Sequence, residues 1–200
     1  PGIILLPCIL AGLMYKKLLF EIFLIVHAID SNVGNYVWYT NIDYGLYLGG
    51  IPIEEMGHRE ELLQKCKVSA ILSIVEDWEL SATTVVGNVI NFQNLREYGV
   101  AHSTLSTTDY YPPSIQLLDE GANILNKHLS EGRSVYCHCK SGVGRSASVV
   151  VAYLIKYKRL NATEAWSEVK ILRPKIFSDK SPQFKNIVAY EKQLREGRIK

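Results

Sequence analysis

A cysteine, five intervening residues and an arginine stand in the run His138-Cys139-Lys140-Ser141-Gly142-Val143-Gly144-Arg145-Ser146. Ser134-Val135-Tyr136-Cys137 before it reads as a short buried strand, and Ser146 to Tyr157 after it as an apolar helix. A glycine-containing loop therefore joins a strand end to a helix N-terminus. Backbone N–H groups of Lys140, Ser141, Gly142, Val143, Gly144 and Arg145 can converge on one anion there, and the helix end adds partial positive charge. A cysteine at the head of such a loop sits in that field as thiolate, below the free thiol value of about 8.5. Arg145 offers a planar two-donor fork matched to two phosphate oxygens. These residue types at this spacing hold a phosphate dianion and aim a sulfur nucleophile at phosphorus.

Transfer of phosphoryl to Cys139 leaves an alkoxide or phenoxide that needs a proton, which a carboxylic acid on a loop can supply. Asp109 lies thirty positions before Cys139, after an expected strand, in a loop stiffened by Pro112-Pro113. It is the candidate acid, with Glu76 and Asp77 the next carboxylates to consider. Ser146 is placed to hydrogen-bond the sulfur and help it leave in the second step. His138 is expected to orient the loop rather than to titrate. Arg145 and the loop amides stabilise the equatorial oxygens, so the chemistry calls for no metal and no cofactor.

The elements that must position these residues follow from periodicity and breakers. Val68 to Val75 is a near-continuous apolar run, expected as a buried central strand. Tyr44 to Gly50, ending in a turn, and Val100 to Ser106 read as further strands, Val85 to Phe92 as an extended piece, and Glu54 to Lys65 as a helix. Ser114 opens a helix with Ile115, Leu118, Ala122, Leu125 and Leu129 on one face, closed by Gly132. Asn161 and Glu164 have capping-box spacing, so the Asn161-Ala162-Thr163 triplet reads as a helix start rather than a glycosylation site. Ser181-Pro182 starts a last helix. Strands alternating with helices indicate an α/β fold, a central, mostly parallel sheet flanked by helices.

Two hundred residues, 48% of them hydrophobic and 21% charged, suit one globular domain. The net charge of +2, without a basic run interleaved with aromatics, gives no sign of nucleic-acid binding. Four cysteines show neither metal-ligand spacing nor a secreted disulfide framework, and a nucleophilic thiolate needs a reducing compartment. Residues 1–35 form an apolar segment and linker ahead of a compact unit, 36–200. Ile3 to Tyr15 and Leu18 to Ile29 are apolar runs broken by Pro7, Lys16-Lys17 and Glu21, each too short to span a bilayer. The segment is either an interfacial membrane helix or a helix docked on the domain. It lacks the arginines of a mitochondrial transit segment, the first being Arg59.

The loop resembles the signature of the cysteine-dependent protein tyrosine phosphatase superfamily: histidine-cysteine, five residues, arginine, then serine or threonine. Further segments narrow the resemblance. Trp38 to Asp43, Leu46 to Pro52, Glu76-Asp77-Trp78-Glu79, Leu105 to Asp109, Val135 to Lys140, Tyr153-Leu154-Ile155 and Arg173-Pro174 occur in the order found in the mitochondrial phosphatidylglycerophosphate phosphatases, a branch of the dual-specificity phosphatases. Val143 stands where that branch usually has arginine, Asn41 likewise, and Trp78 where it usually has tyrosine. The resemblance implies the dual-specificity phosphatase fold, hydrolysis of phosphatidylglycerophosphate on the way to cardiolipin, and a site at the mitochondrial inner membrane. The alternative is a cytoplasmic dual-specificity protein phosphatase acting on phosphotyrosine and phosphoserine or phosphothreonine. A non-catalytic phosphate-binding module would not need Cys139, Arg145 and Asp109 together, and a sulfurtransferase would leave Asp109 and Ser146 without a role.

Overall fold

A computed structural model describes the backbone of residues 2–34 and 36–199 and, within that range, the side chains from residue 12 onward. The chain opens with α1 (Gly2–Asn32). A hairpin of β1 (Tyr39–Asp43) and β2 (Leu46–Gly49) follows, then the single turn α2 (His58–Glu60), which runs on as a π-turn over Glu61–Lys65, and β3 (Val68–Ser73). A 3₁₀ turn at Asp77–Ser81 precedes the short β4 (Thr83–Thr84) and β5 (Gly87–Asn88), α3 (Phe92–Leu95) and β6 (Ala101–Thr104). The second half holds α4 (Ile115–Ser130), β7 (Ser134–His138), α5 (Arg145–Lys158), α6 (Ala162–Leu172) and α7 (Pro182–Arg195).

Five strands form one sheet in the order β1-β2-β7-β3-β6. The β1–β2 pair is antiparallel, and every other pairing is parallel. β7 sits at the centre, so the residue that follows it emerges from the middle of the sheet's C-terminal edge, where ligands of open α/β sheets collect. Alternation of side chains divides the core in two. Leu48, Leu72, Val135 and Cys137 face α4, α5, α6 and α7, whereas Ile71 and Tyr136 face Phe20, Leu24, Trp38, Leu62 and Phe92.

Local signals explain the element ends. The Ser114 hydroxyl accepts from Leu117 N, and Asn161 and Glu164 form a reciprocal capping box. Pro182 occupies the first turn of α7 behind the Ser181 cap. Three expectations change. The helix foreseen over 54–65 starts only at His58, because Gly57 takes the left-handed conformation (φ 74°). The extended piece foreseen over 85–92 folds back instead. Gly87, at φ 132°, closes the β4–β5 hairpin, and Asn91 caps α3 through the N–H groups of Gln93 and Asn94. β1 was not foreseen, since its edge position and its bulge between Asn41 and Asp43 blur the two-residue period.

α1 runs unbroken through Pro7 and Lys16-Lys17. Charges disqualify a helix from lipid but do not break it, lysine and glutamate being good helix formers. Lys16 reaches Glu76 at 2.9 Å, and Glu21 accepts from Val85 N at 3.1 Å. Phe20 and Leu24, 3% and 0% exposed, enter the core beside Trp38 and Tyr36, so in packing α1 is not set apart from residues 36–200. Among the described residues no helix is long and apolar enough to cross a membrane. Replacing Leu24 with aspartate should undock α1: limited trypsin digestion should then cut at Lys16 or Lys17 far faster than in the parent protein, with residues 36–200 left intact.

Candidate active site

Residues 139–144 form a loop from the end of β7 into α5, with Gly144 at the N-cap. Each of its carbonyls is bonded on the outside. Cys139 O accepts from His138 Nδ1 (3.2 Å), Lys140 O from Ile51 N (3.0 Å), and Gly142 O from Arg173 Nε (2.9 Å). Ser141 O accepts from both Tyr36 Oη (2.7 Å) and Arg173 Nη2 (3.0 Å), Val143 O from Phe177 N (3.1 Å), and Gly144 O from Ser148 N (2.9 Å). With the carbonyls committed outward, the intervening N–H groups are left to face the hollow, as an anion-binding nest requires. Gly142 makes the turn possible. Its φ is 67°, and a β-carbon there would lie 2.5 Å from the backbone of Gly49.

Cys139, 2% exposed, heads the loop. Its Sγ accepts from Gly142 N at 3.3 Å and from the Ser146 hydroxyl at 3.2 Å. Burial pushes this thiol up, but the Arg145 guanidinium, the Ser146 hydroxyl and the backbone N–H groups of Ser146 and Ser141 outweigh it, so the thiol lies below its usual value. Cys137, two positions earlier in the same strand, has burial without those donors and is pushed well up. One neighbourhood thus holds an activated and an inert sulfur.

Arg145 is 2% exposed. Its Nη1 and Nη2 grip the two oxygens of Glu79 at 2.6 and 3.0 Å, and Nη1 also donates to Thr107 O at 3.0 Å. Burial alone would favour loss of its proton, but Glu79, Cys139 and Asp109 together raise its affinity, so the guanidinium stays charged. Its Nε–H is buried and makes no hydrogen bond among the described residues. That donor is unspent on a side chain otherwise fully committed, as expected for a group that receives an anion.

Asp109 lies within 3.0 Å of Arg145 Nη2 and pairs with Lys140. It joins Cys139, Lys140, Ser141, Val143, Gly144 and Arg145 around a cavity of about 280 Å³ rimmed by Tyr110, Tyr111, Phe177, Gln183 and Phe23 of α1. His138 is wholly buried, and that burial holds its pKa down to about 3. As a neutral ring donating Nδ1–H to Cys139 O, it must accept at Nε2 from the Ser73 hydroxyl, 2.7 Å away. Of the other carboxylates considered, Asp77 is exposed and lines neither this cavity nor its neighbour, so its placement does not fit a supporting role. Glu76 is tied to Lys16 and caps the 3₁₀ turn; it shares a neighbouring cavity with Asp109, Tyr110 and Lys140 but does not line the one that holds Cys139.

Reasoning from sequence missed Glu79, Arg173, Tyr36 and Phe177. Glu79 had a local signal, its capping-box spacing from Glu76. A buried arginine also demands a buried acid. Arg173 lies thirty-four positions after Cys139, and nothing local marks it as a loop support. Replacing Ser146 with alanine should shift the pH profile of Cys139 alkylation by iodoacetamide to higher pH, because a donor to the thiolate is lost. Gly142→Ala should open the loop and slow alkylation at every pH.

The dual specificity phosphatase catalytic domain matches residues 48–193. A phosphatidylglycerophosphatase and protein-tyrosine phosphatase 1 from Rattus norvegicus is 30% identical over 158 residues, 78% of each chain. The phosphatidylglycerophosphate phosphatase PTPMT2 of Arabidopsis thaliana is 31% identical over 140 residues, 70% of this chain. The chain spans only 57% of that plant relative's length and 65% of its human counterpart's. The crystal structure of PTPMT1 in complex with PI(5)P superposes with a TM-score of 0.70 at 26% identity, covering 82% of this chain and 100% of that one. With its family model matched over residues 48–193 and its relatives sharing about 30% of their residues with it, the chain belongs to the dual specificity phosphatases.

Proposed function

We propose that this chain is a cysteine-dependent phosphatase that releases the terminal phosphate of phosphatidylglycerophosphate, at the mitochondrial inner membrane. One observation carries the chemistry: a lowered thiol shares an anion nest with a buried guanidinium that still has a free donor. The Cys139 thiolate attacks phosphorus in line, while the loop N–H groups and Arg145 hold the equatorial oxygens. The P–O bond breaks, and Asp109, entering the step protonated, gives its proton to the leaving oxygen. Asp109, now a carboxylate, takes a proton from water as that water attacks the thiophosphate. The Ser146 hydroxyl stabilises the departing thiolate.

The lipid assignment draws on the names of the relatives and on PI(5)P, a phosphorylated lipid, bound to a structural neighbour. It also draws on α1. Tyr15, Leu18, Ile22, Val26 and Ile29 recur every three or four positions and stay 47–62% exposed, an uncharged stripe on the helix that borders the cavity. Such a stripe suits the surface of a bilayer that carries the substrate. A second reading, a protein phosphatase, is favoured by Val143, which puts no cation on the cavity wall for a second phosphate.

Cys139→Ser should reduce turnover to background while phosphate-ester binding persists, and Arg145→Lys should lose most activity because an ammonium cannot form the fork. In mixed micelles phosphatidylglycerophosphate should be hydrolysed faster than a phosphotyrosine peptide, and Val143→Arg should raise the lipid rate. Activity on the peptide without activity on the lipid would leave the phosphatase and remove its lipid substrate.

A further inference from the structure

Lys140 is an ammonium only 5% exposed, held at four points. Asp109 pairs with it, and the Tyr110 hydroxyl accepts from its Nζ at 3.2 Å. Nζ also lies 4.6 Å from the centre of the Tyr110 ring and 4.7 Å from that of Phe23. Tyr110 and Asp109 belong to the acid-bearing loop, whereas Phe23 belongs to α1, far away in sequence. The cation thus lies against two rings, one from the acid-bearing loop and one from α1. Phe23 is itself braced, with its ring stacked 3.6 Å from that of His27 one helical turn on, and His27 packed edge-on against Tyr36 at 4.3 Å. Tyr36 in turn bonds the loop carbonyl of Ser141.

The pair of rings matters because of what Asp109 must do. As a general acid it carries a proton and no charge, and in that state it offers Lys140 no carboxylate. An ammonium this buried needs other support or it will swing to solvent, taking the Tyr110 contact with it. The faces of two aromatic rings supply that support without competing for the proton, since a ring quadrupole attracts a cation but accepts no proton. Tyr110 also sits at φ 67°, a conformation that a tyrosine holds only when its surroundings fix it.

We infer that Phe23 of α1 is a positioning residue for the acid step: by holding the Lys140 ammonium against Tyr110, it keeps the Asp109 loop over Cys139. α1 is then part of the active site. The inference rests on the acid role of Asp109 given above, but not on the lipid assignment, because its test uses two small soluble substrates.

The readout is the ratio of kcat/KM on an alkyl phosphate, such as glycerol 3-phosphate, to that on p-nitrophenyl phosphate. Only the alkyl leaving group needs the proton, and the ratio does not change with the fraction of folded protein. Phe23→Leu, which keeps bulk but loses the ring, should lower the ratio about tenfold. Phe23→Trp should restore it. Asp109→Asn should lower the ratio further than Phe23→Leu, and the double variant should fall no lower than Asp109→Asn alone. Equal losses on both substrates in Phe23→Leu, with Asp109→Asn still lowering the ratio, would overturn the inference and leave the acid in place. An unchanged ratio in Asp109→Asn would overturn both. An additive double variant would make Phe23 an independent packing residue and overturn the inference.

Discussion

The site depends on the outward commitment of the loop carbonyls between Cys139 and Gly144. A backbone in this conformation carries as many acceptors as donors, and an anion is tolerated only if the acceptors are turned away. Arg173 turns two of the six, more than any other single side chain. It holds Gly142 O and Ser141 O on one side and Val37 O and Thr40 Oγ1 on the other, at 2.9–3.1 Å, while only 4% exposed. It thereby ties the loop to the segment that enters β1. It also places a second guanidinium behind the nest, adding to the positive field that favours a thiolate and a bound phosphate.

The other guanidinium, Arg145, is held ready by groups that do not react. Its Glu79 partner is 1% exposed and fixed by the turn it caps. A buried ion pair is a poor source of stability, because desolvating two charges offsets their attraction. Here the return is orientation: the fork is aimed before substrate arrives, so little reorganisation is left for the reaction itself. Asp109 touches the same guanidinium, which couples its loop to the nest.

α1 joins the two themes. One of its faces enters the core through Phe20 and Leu24, and Phe23 borders the cavity, while its opposite face presents an apolar stripe to the outside. A helix bound on one face and bare on the other orients whatever lies against the bare face. The cavity that Phe23 borders is also lined by the exposed rings of Tyr110 and Tyr111.

The sequence by itself determined the cysteine and arginine at the two ends of a loop between strand and helix, an interior buried strand and the capped helices of the second half. Those features are local: a nest, a cap or a buried strand is written in residues within a turn or two of one another. It did not determine the start of the helix at His58, where one glycine in the left-handed conformation overruled the apolar pattern, or the edge strand β1, whose pairing is with a neighbour rather than with its own period. Only the tertiary structure decided that Glu79 and not Glu76 or Asp77 meets Arg145, that Arg173 and Tyr36 turn the loop inside out, and that Phe23 reaches Lys140. These contacts join residues 31 to 117 positions apart. Their existence follows from the demand that buried charges and carbonyls be satisfied, but their identity follows from which segments the sheet order brings together.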